Sequence, residues 1–233
     1  MATPNHVFIK QAKEILKGNW RLAIGGYLLY YLLSIVPILI PQIGVFYTII
    51  AGGPFCYGIT SFLLAISRNK KVSVISIFTG FEFKNLGRSI GAYFLMVFYM
   101  LVGLVLFIIP GVIAFYSYAL TFYILVDNPS VGISAALQKS QQLMRGNKKR
   151  LFMLGLPFVI FPVFLVFFEL TYSIFFSKQI IRINFLPIPY SLEWKVVIKV
   201  IEICYAPIYT WLCLASSKFY DDLKLKAIET ENA

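Results

Sequence analysis

The 233 residues include a single histidine, three cysteines and three aspartates, and only 13% of the chain is charged. One histidine, His6, stands near the N-terminus, so a membrane-embedded metal site or a Ser–His pair has nothing to build on. Aspartyl chemistry needs two facing aspartates, yet Asp221 and Asp222 lie in the tail and leave Asp127 alone. Cys56, Cys204 and Cys213 all fall inside apolar runs, where small buried packing residues are expected, and they offer neither a disulfide framework nor a metal spacing. A phosphate-cradling glycine loop followed by Lys is also missing. No enzyme, cofactor or metal is therefore expected.

What is present is apolar surface. Hydrophobic residues make up 59% of the chain, against roughly 45–50% in soluble domains, which carry about 25% charge. With a mean hydropathy of +0.79, the chain reads as one integral membrane domain over 1–233, whose useful count is spans of about 20 residues. Apolar runs occupy about 22–40 and 43–66. Ile90–Val126 is 37 residues without a charge, too long for one span and suited to two, about 90–109 and 111–126, turning at Pro110-Gly111. Further runs at about 151–176 and 194–217 complete six. The first run is about 19 residues long and lacks a cleavage site, so it is expected to remain as a span.

The alternative, a single tilted helix with a re-entrant piece in Ile90–Val126, would put the termini on opposite sides. Basic residues decide the parity. Lys10, Lys13, Lys17 and Arg21 precede the first span; Arg68, Lys70, Lys71, Lys84 and Arg88 fill the second connection; Lys139, Arg145, Lys148, Lys149 and Arg150 fill the fourth; Lys218, Lys224 and Lys226 follow the sixth. The opposite side has only Lys178, Arg182 and Lys195. By the positive-inside rule both termini are cytoplasmic. The net charge of +11 then belongs to topology and to anionic headgroups rather than to nucleic acid.

A short device appears twice, as "EILKGNWRLAIGG" from Glu14 and "QQLMRGNKKRLFMLG" from Gln141. Upstream of each, apolar residues recur at helical spacing: Phe8, Ala12, Ile15 and Leu16, then Ile133, Ala136, Leu137, Ser140 and Met144. Both stretches, about 5–17 and 130–145, are expected as amphipathic helices in the interface plane. Gly18 and Gly146 fall where a helix favours a left-handed C-terminal residue, so Gly-Asn would turn the chain into the membrane. The run "VSVISIFTGFEFKNLGRSIGAYF" spells a looser third version, which suggests three units starting near residues 1, 70 and 128.

The run "IIPGVIAFYSYALTFYILVDNPSVGISAALQKSQQLMRGNKKRLF" resembles a bacterial family of six-span integral membrane proteins catalogued as a domain of unknown function. It is distantly similar to the membrane domain of some glycerophosphoryl diester phosphodiesterases. The matching positions are Pro110, Gly111, Tyr118, Asp127, Asn128, Pro129, Ser140, Met144, Gly146, Asn147, Lys148 and Phe152, with Phe219-Tyr220 agreeing more loosely. The resemblance implies a bacterial cell membrane protein with an all-α polytopic fold, and no activity. It is specific over about 45 residues, and Pro207-Ile208-Tyr209 departs from the family's Pro-Tyr.

Candidate sites follow from polarity and backbone irregularity. Asp127 or Asn128 is expected to cap the helix after span four, with Pro129 in its first turn; the sharper reading makes Asp127 a contact for a cation or a proton. Glu169, Lys199 and Glu202 lie at similar depth near the outer ends of spans five and six, either as a snorkelling pair or as a polar cavity lining. Gly52, Gly53 and Pro54 in span two and Pro207 in span six stand at matching depth, as packing features or as a midplane ligand site. Numerous tyrosines, among them Tyr27, Tyr30, Tyr31 and Tyr118, want hydroxyl partners. The expected function is non-enzymatic accommodation of an amphipathic molecule, a lipid or hydrophobic peptide; the alternatives are a structural scaffold docking another membrane protein and an ion-coupled transporter.

Overall fold

The computed structural model describes residues 3–39, 41–156, 167, 171 and 204–231, and every regular element among them is helical. In chain order these are α1 (Asn5–Leu39), α2 (Pro41–Ser67), a 3-10 segment (Val74–Phe81), α3 (Phe83–Leu106), α4 (Ile108–Tyr118), α5 (Thr121–Asp127), α6 (Ile133–Leu143), helical residues 148–156, and α7 (Ala206–Glu231). Three stretches among the described residues are long and apolar enough to cross a membrane: Tyr47–Ser67, Phe83–Leu106 and Ile109–Asp127. The chain is an all-α polytopic membrane protein. Those three stretches correspond to the expected second, third and fourth spans. Most of the expected fifth span and the first part of the sixth lie outside the described residues.

The first Gly-Asn does not turn the chain. α1 runs through Gly18 and Asn19 as one 35-residue helix, about 52 Å at 1.5 Å per residue, against a hydrocarbon core of about 30 Å. Asn19 Nδ2 donates to the Ile15 carbonyl inside the helix, and Phe8, Ala12, Leu16 and Ala23 are buried along one side. Phe8 meets the Phe219 ring of α7 edge-on at 5.7 Å, and Trp211 Nε1 donates to the Ile9 carbonyl. The amphipathic pattern was therefore a protein-packing face rather than a lipid-facing one. Hydrophobic periodicity reports that a face is covered and is silent about what covers it.

Gly146 behaves as expected, with φ +74. It follows α6, whose buried residues are Ala136, Leu137 and Ser140, with Met144 buried beyond its end. This face too is covered by protein. It closes the break between α4 and α5, where Ser140 Oγ donates to the Ser117 carbonyl and accepts from the Leu120 N–H. Gln141 Nε2 adds a bond to the Tyr118 hydroxyl, and Tyr118 stacks on Tyr99.

The turn of the α3–α4 hairpin also moves. Phe107, in an extended conformation, ends α3 and starts α4, so the chain reverses there rather than at Pro110-Gly111. Pro110 sits in the first turn of α4, where its missing N–H is not needed. Gly111 serves a close approach instead, because a Cβ on Gly103 would lie 2.9 Å from the Gly111 Cα.

Candidate functional site

All three aspartates of this aspartate-poor chain gather at the basic end of the bundle. Arg68 stands just after α2, held by a left-handed C-terminal turn: Asn69 has φ 55, and the N–H groups of Asn69 and Lys70 donate to the carbonyls of Ile66 and Ala65. Asn tolerates that conformation better than other side-chain-bearing residues, and the paired bonds satisfy carbonyls the helix end leaves open. The turn directs the Arg68 guanidinium to Asp127, the last residue of α5, with Nη1 to Oδ1 at 2.6 Å and Nη2 to Oδ2 at 2.9 Å. Arg68 also reaches Asp221 of α7 at 2.6 Å.

Tyr220 and Lys224, one helical turn apart on α7, complete the Asp127 carboxylate by donating at 3.1 and 2.7 Å. The Asp127 side chain is only 7% exposed, so each oxygen needs its donors. Arg68, Lys224, Asp127 and Asp221 balance in charge around the buried Asp127 carboxylate, while the other three side chains keep part of their surface in contact with solvent. Hydrogen bonding to Asp127 outweighs burial and raises the Arg68 pKa. For the Tyr220 hydroxyl, burial first and then the neighbouring Asp127 charge push the pKa up.

A second junction adjoins the first. Asp222 accepts from Thr3 and from Lys226, each within 2.7 Å, and Arg150 approaches it at 3.9 Å. Arg150 further donates to the Thr3 carbonyl and to Asn147 Oδ1 and lies over the Phe219 ring. Burial would raise the Asp222 pKa, but the Lys226 and Thr3 bonds and the two cationic charges win and hold it below the usual carboxylate value. Between α1 and α7 here opens a recess of about 660 Å³ edged by Gln11, Glu14, Lys218, Asp221 and Asp222. Both aspartates already hold cations, and among the described residues no three His, Cys, Asp or Glu side chains gather as a metal site.

The candidate residues separate accordingly. Asp127 caps no helix: α6 begins after Gly132, whose side is bare of any capping bond, and Pro129 lies in the intervening turn. Its cationic contacts are internal to the chain. Asn128 ends α5 and its carbonyl, with that of Val131, accepts from Arg88. Asn147 Nδ2 returns to the Leu143 carbonyl, the same bond that Asn19 makes, and Lys148 opens the next helical stretch. Gly52 lies against the Tyr93 ring and Gly53 against the Ser89 backbone, closer than any side chain allows, while the Pro54 carbonyl faces Gly80. These positions serve helix packing. Pro207 is in the first turn of α7, where proline fits. Glu169, Lys199 and Glu202 lie outside the described residues. His6 is exposed, and Cys56, Cys204 and Cys213 are unpaired thiols.

Arg68, Asp221 and Lys224 are members of this cluster that sequence reasoning passed over as topology charges and tail. The available signal was scarcity, since few carboxylates among many cations must each be shared. No curated protein and no solved structure matches this chain, and the likeness to the membrane domain of glycerophosphoryl diester phosphodiesterases gains no support. A family model described as a protein of unknown function (DUF975) matches residues 101–223, more than half of the chain and the stretch that carries Asp127, Ser140, Tyr220 and Asp221, and the chain belongs to that family.

Proposed function

We propose that the chain is a non-catalytic scaffold of the bacterial cell membrane, crossing it six times with both termini in the cytoplasm and docking another membrane protein. The observation that carries this is the junction itself: Arg68, just after α2, bonds both Asp127 at the end of α5 and Asp221 of α7, with the Asp127 carboxylate buried between them. Such a tie holds the ends of the bundle in one arrangement, which suits a platform and opposes the opening a carrier needs. In favour of an even number of crossings, six among them, Thr3 of the N-terminal segment bonds Asp222 near the C-terminus. The cytoplasmic assignment follows from the basic residues on that side.

Accommodation of an amphipathic guest is the second reading. In its favour, Tyr27 packs against Tyr30, Tyr31 and, at 4.9 Å, Tyr209, lining the α1–α7 contact with hydroxyl-bearing rings. Ion-coupled transport would rest on Glu169, Lys199 and Glu202.

Spin labels at Lys70→Cys and Lys218→Cys, with the native cysteines replaced by alanine, separate these readings in nanodiscs. A scaffold gives one narrow distance distribution, unchanged by added lipid or hydrophobic peptide. Two populations that shift with either addition would replace the scaffold with a carrier.

A further inference from the structure

The connection between α2 and α3 does not stay at the end of α2. It climbs back along that helix: the Ile77 carbonyl lies where a Cβ on Gly58 would be, and the Pro54 carbonyl lies where a Cβ on Gly80 would be. Gly58 and Pro54 precede Ser67, the last residue of α2, by nine and thirteen positions. That is about 13 and 20 Å along the axis at 1.5 Å per residue. Because Tyr47–Ser67 is itself a candidate span, the 3-10 segment lies beside a membrane-crossing helix, within the leaflet at the basic end of the bundle.

Its two faces differ in a way that fits this place. Inward, Ile77 is fully buried, and the partly exposed Phe78 and Phe81 rest one edge on Phe55 with ring centres 6.3 and 4.8 Å apart. Outward, Ile75 is 74% exposed, and Phe83, the first residue of α3, is 99% exposed. Side chains of that size are costly in water and cost nothing among acyl chains. The segment is bracketed by cations, with Lys70 and Lys71 exposed before it and Lys84, 77% exposed, after it. The opposing carboxylate is Glu82, bonded to Lys84 at 3.0 Å. Arg88 is already engaged with backbone carbonyls.

We infer that residues 70–84 form a re-entrant membrane element that binds anionic phospholipid, with Ile75 and Phe83 among the acyl chains and Lys70, Lys71 and Lys84 collecting phosphate headgroups. Glycine at positions 58 and 80 is what lets the backbone lie flat against α2, so that the apolar side chains face lipid. The net positive bracket selects negatively charged headgroups over zwitterionic ones.

The full chain in nanodiscs of phosphatidylcholine with added phosphatidylglycerol tests both parts. Spin labels at Ile75→Cys and Phe83→Cys, in the cysteine-free background, should relax with oxygen and be shielded from a water-soluble nickel reagent, while a label at Lys71→Cys should meet the nickel. Native mass spectrometry of the detergent-released protein should show phosphatidylglycerol retained over phosphatidylcholine, and the Lys70→Gln/Lys71→Gln/Lys84→Gln variant should lower that ratio by at least about tenfold. These lysines are exposed, so the variant keeps its fold. Nickel contact at both 75 and 83 would place the segment in water and overturn the inference. An unchanged lipid ratio in the lysine variant would equally overturn it.

Discussion

Asp127 shows how much depends on one side chain when acidic residues are scarce. Its carboxylate, 7% exposed, receives Arg68, Lys224 and Tyr220, and removing the charge would leave two cations facing a neutral amide. Taking one partner out of a buried pair is destabilising, less so where the cations stay partly exposed and Arg68 keeps Asp221, so Asp127→Asn should lower the thermal unfolding midpoint in detergent more than Glu229→Gln in the exposed tail. Equal midpoints would show that the junction contributes no net stability. Asp222 supplies a pH test. Its folded pKa lies below the usual value, so its contribution is complete above the unfolded carboxylate pKa of about 3.9 and disappears as pH falls through the folded one. The stability gap between the natural chain and Asp222→Asn should be constant from neutral pH down to about pH 5 and should shrink below about pH 4. A gap that grows on acidification would reverse the assignment.

At the scale of elements, the two Gly-Asn copies part because their surroundings differ. Both asparagines return a hydrogen bond to the carbonyl four residues back. Only Gly146 takes a positive φ, whereas the packing of α1 on α7 carries the helix straight through Gly18, beside which a Cβ would meet open space. Replacing a mid-helix glycine by alanine stabilises by roughly 0.5–1 kcal/mol, and replacing one at positive φ destabilises. Gly18→Ala should therefore raise the unfolding midpoint and Gly146→Ala should lower it. A loss at Gly18 would mean that α1 turns there after all. Ser140 illustrates the same dependence on context: its place in an amphipathic stripe was legible, but its partners, the open backbone groups of Ser117 and Leu120, belong to a helix break that no local pattern announced.

For the whole molecule, the junction unites residues from three separate helical segments. Arg68 follows α2, Asp127 ends α5 and Asp221 stands within α7, so each expected unit contributes one charged group to the junction. The termini meet beside it through Thr3 and Asp222. Thr3→Cys and Asp222→Cys, in a chain without its native cysteines, should be joined by a short bifunctional maleimide in intact membranes, and a membrane-impermeant maleimide added to whole cells should leave both unlabelled. Labelling of one site alone from outside would require an odd number of spans.

The membrane, the helical class and the concentration of positive charge on one side were settled by the sequence, because a chain with 59% hydrophobic residues and 13% charged ones has few ways to satisfy its backbone in lipid. Composition and spacing carry that information residue by residue. Which partner each face or charge would find was decided only by the tertiary structure. The stripe on α1 met α7, the glycines of α2 met the Tyr93 ring and the backbone of neighbouring elements, and Asp127 and Asp221, far apart in the chain, met on Arg68. Those outcomes depend on contacts between distant segments, and neither hydrophobic period nor local charge records who stands opposite.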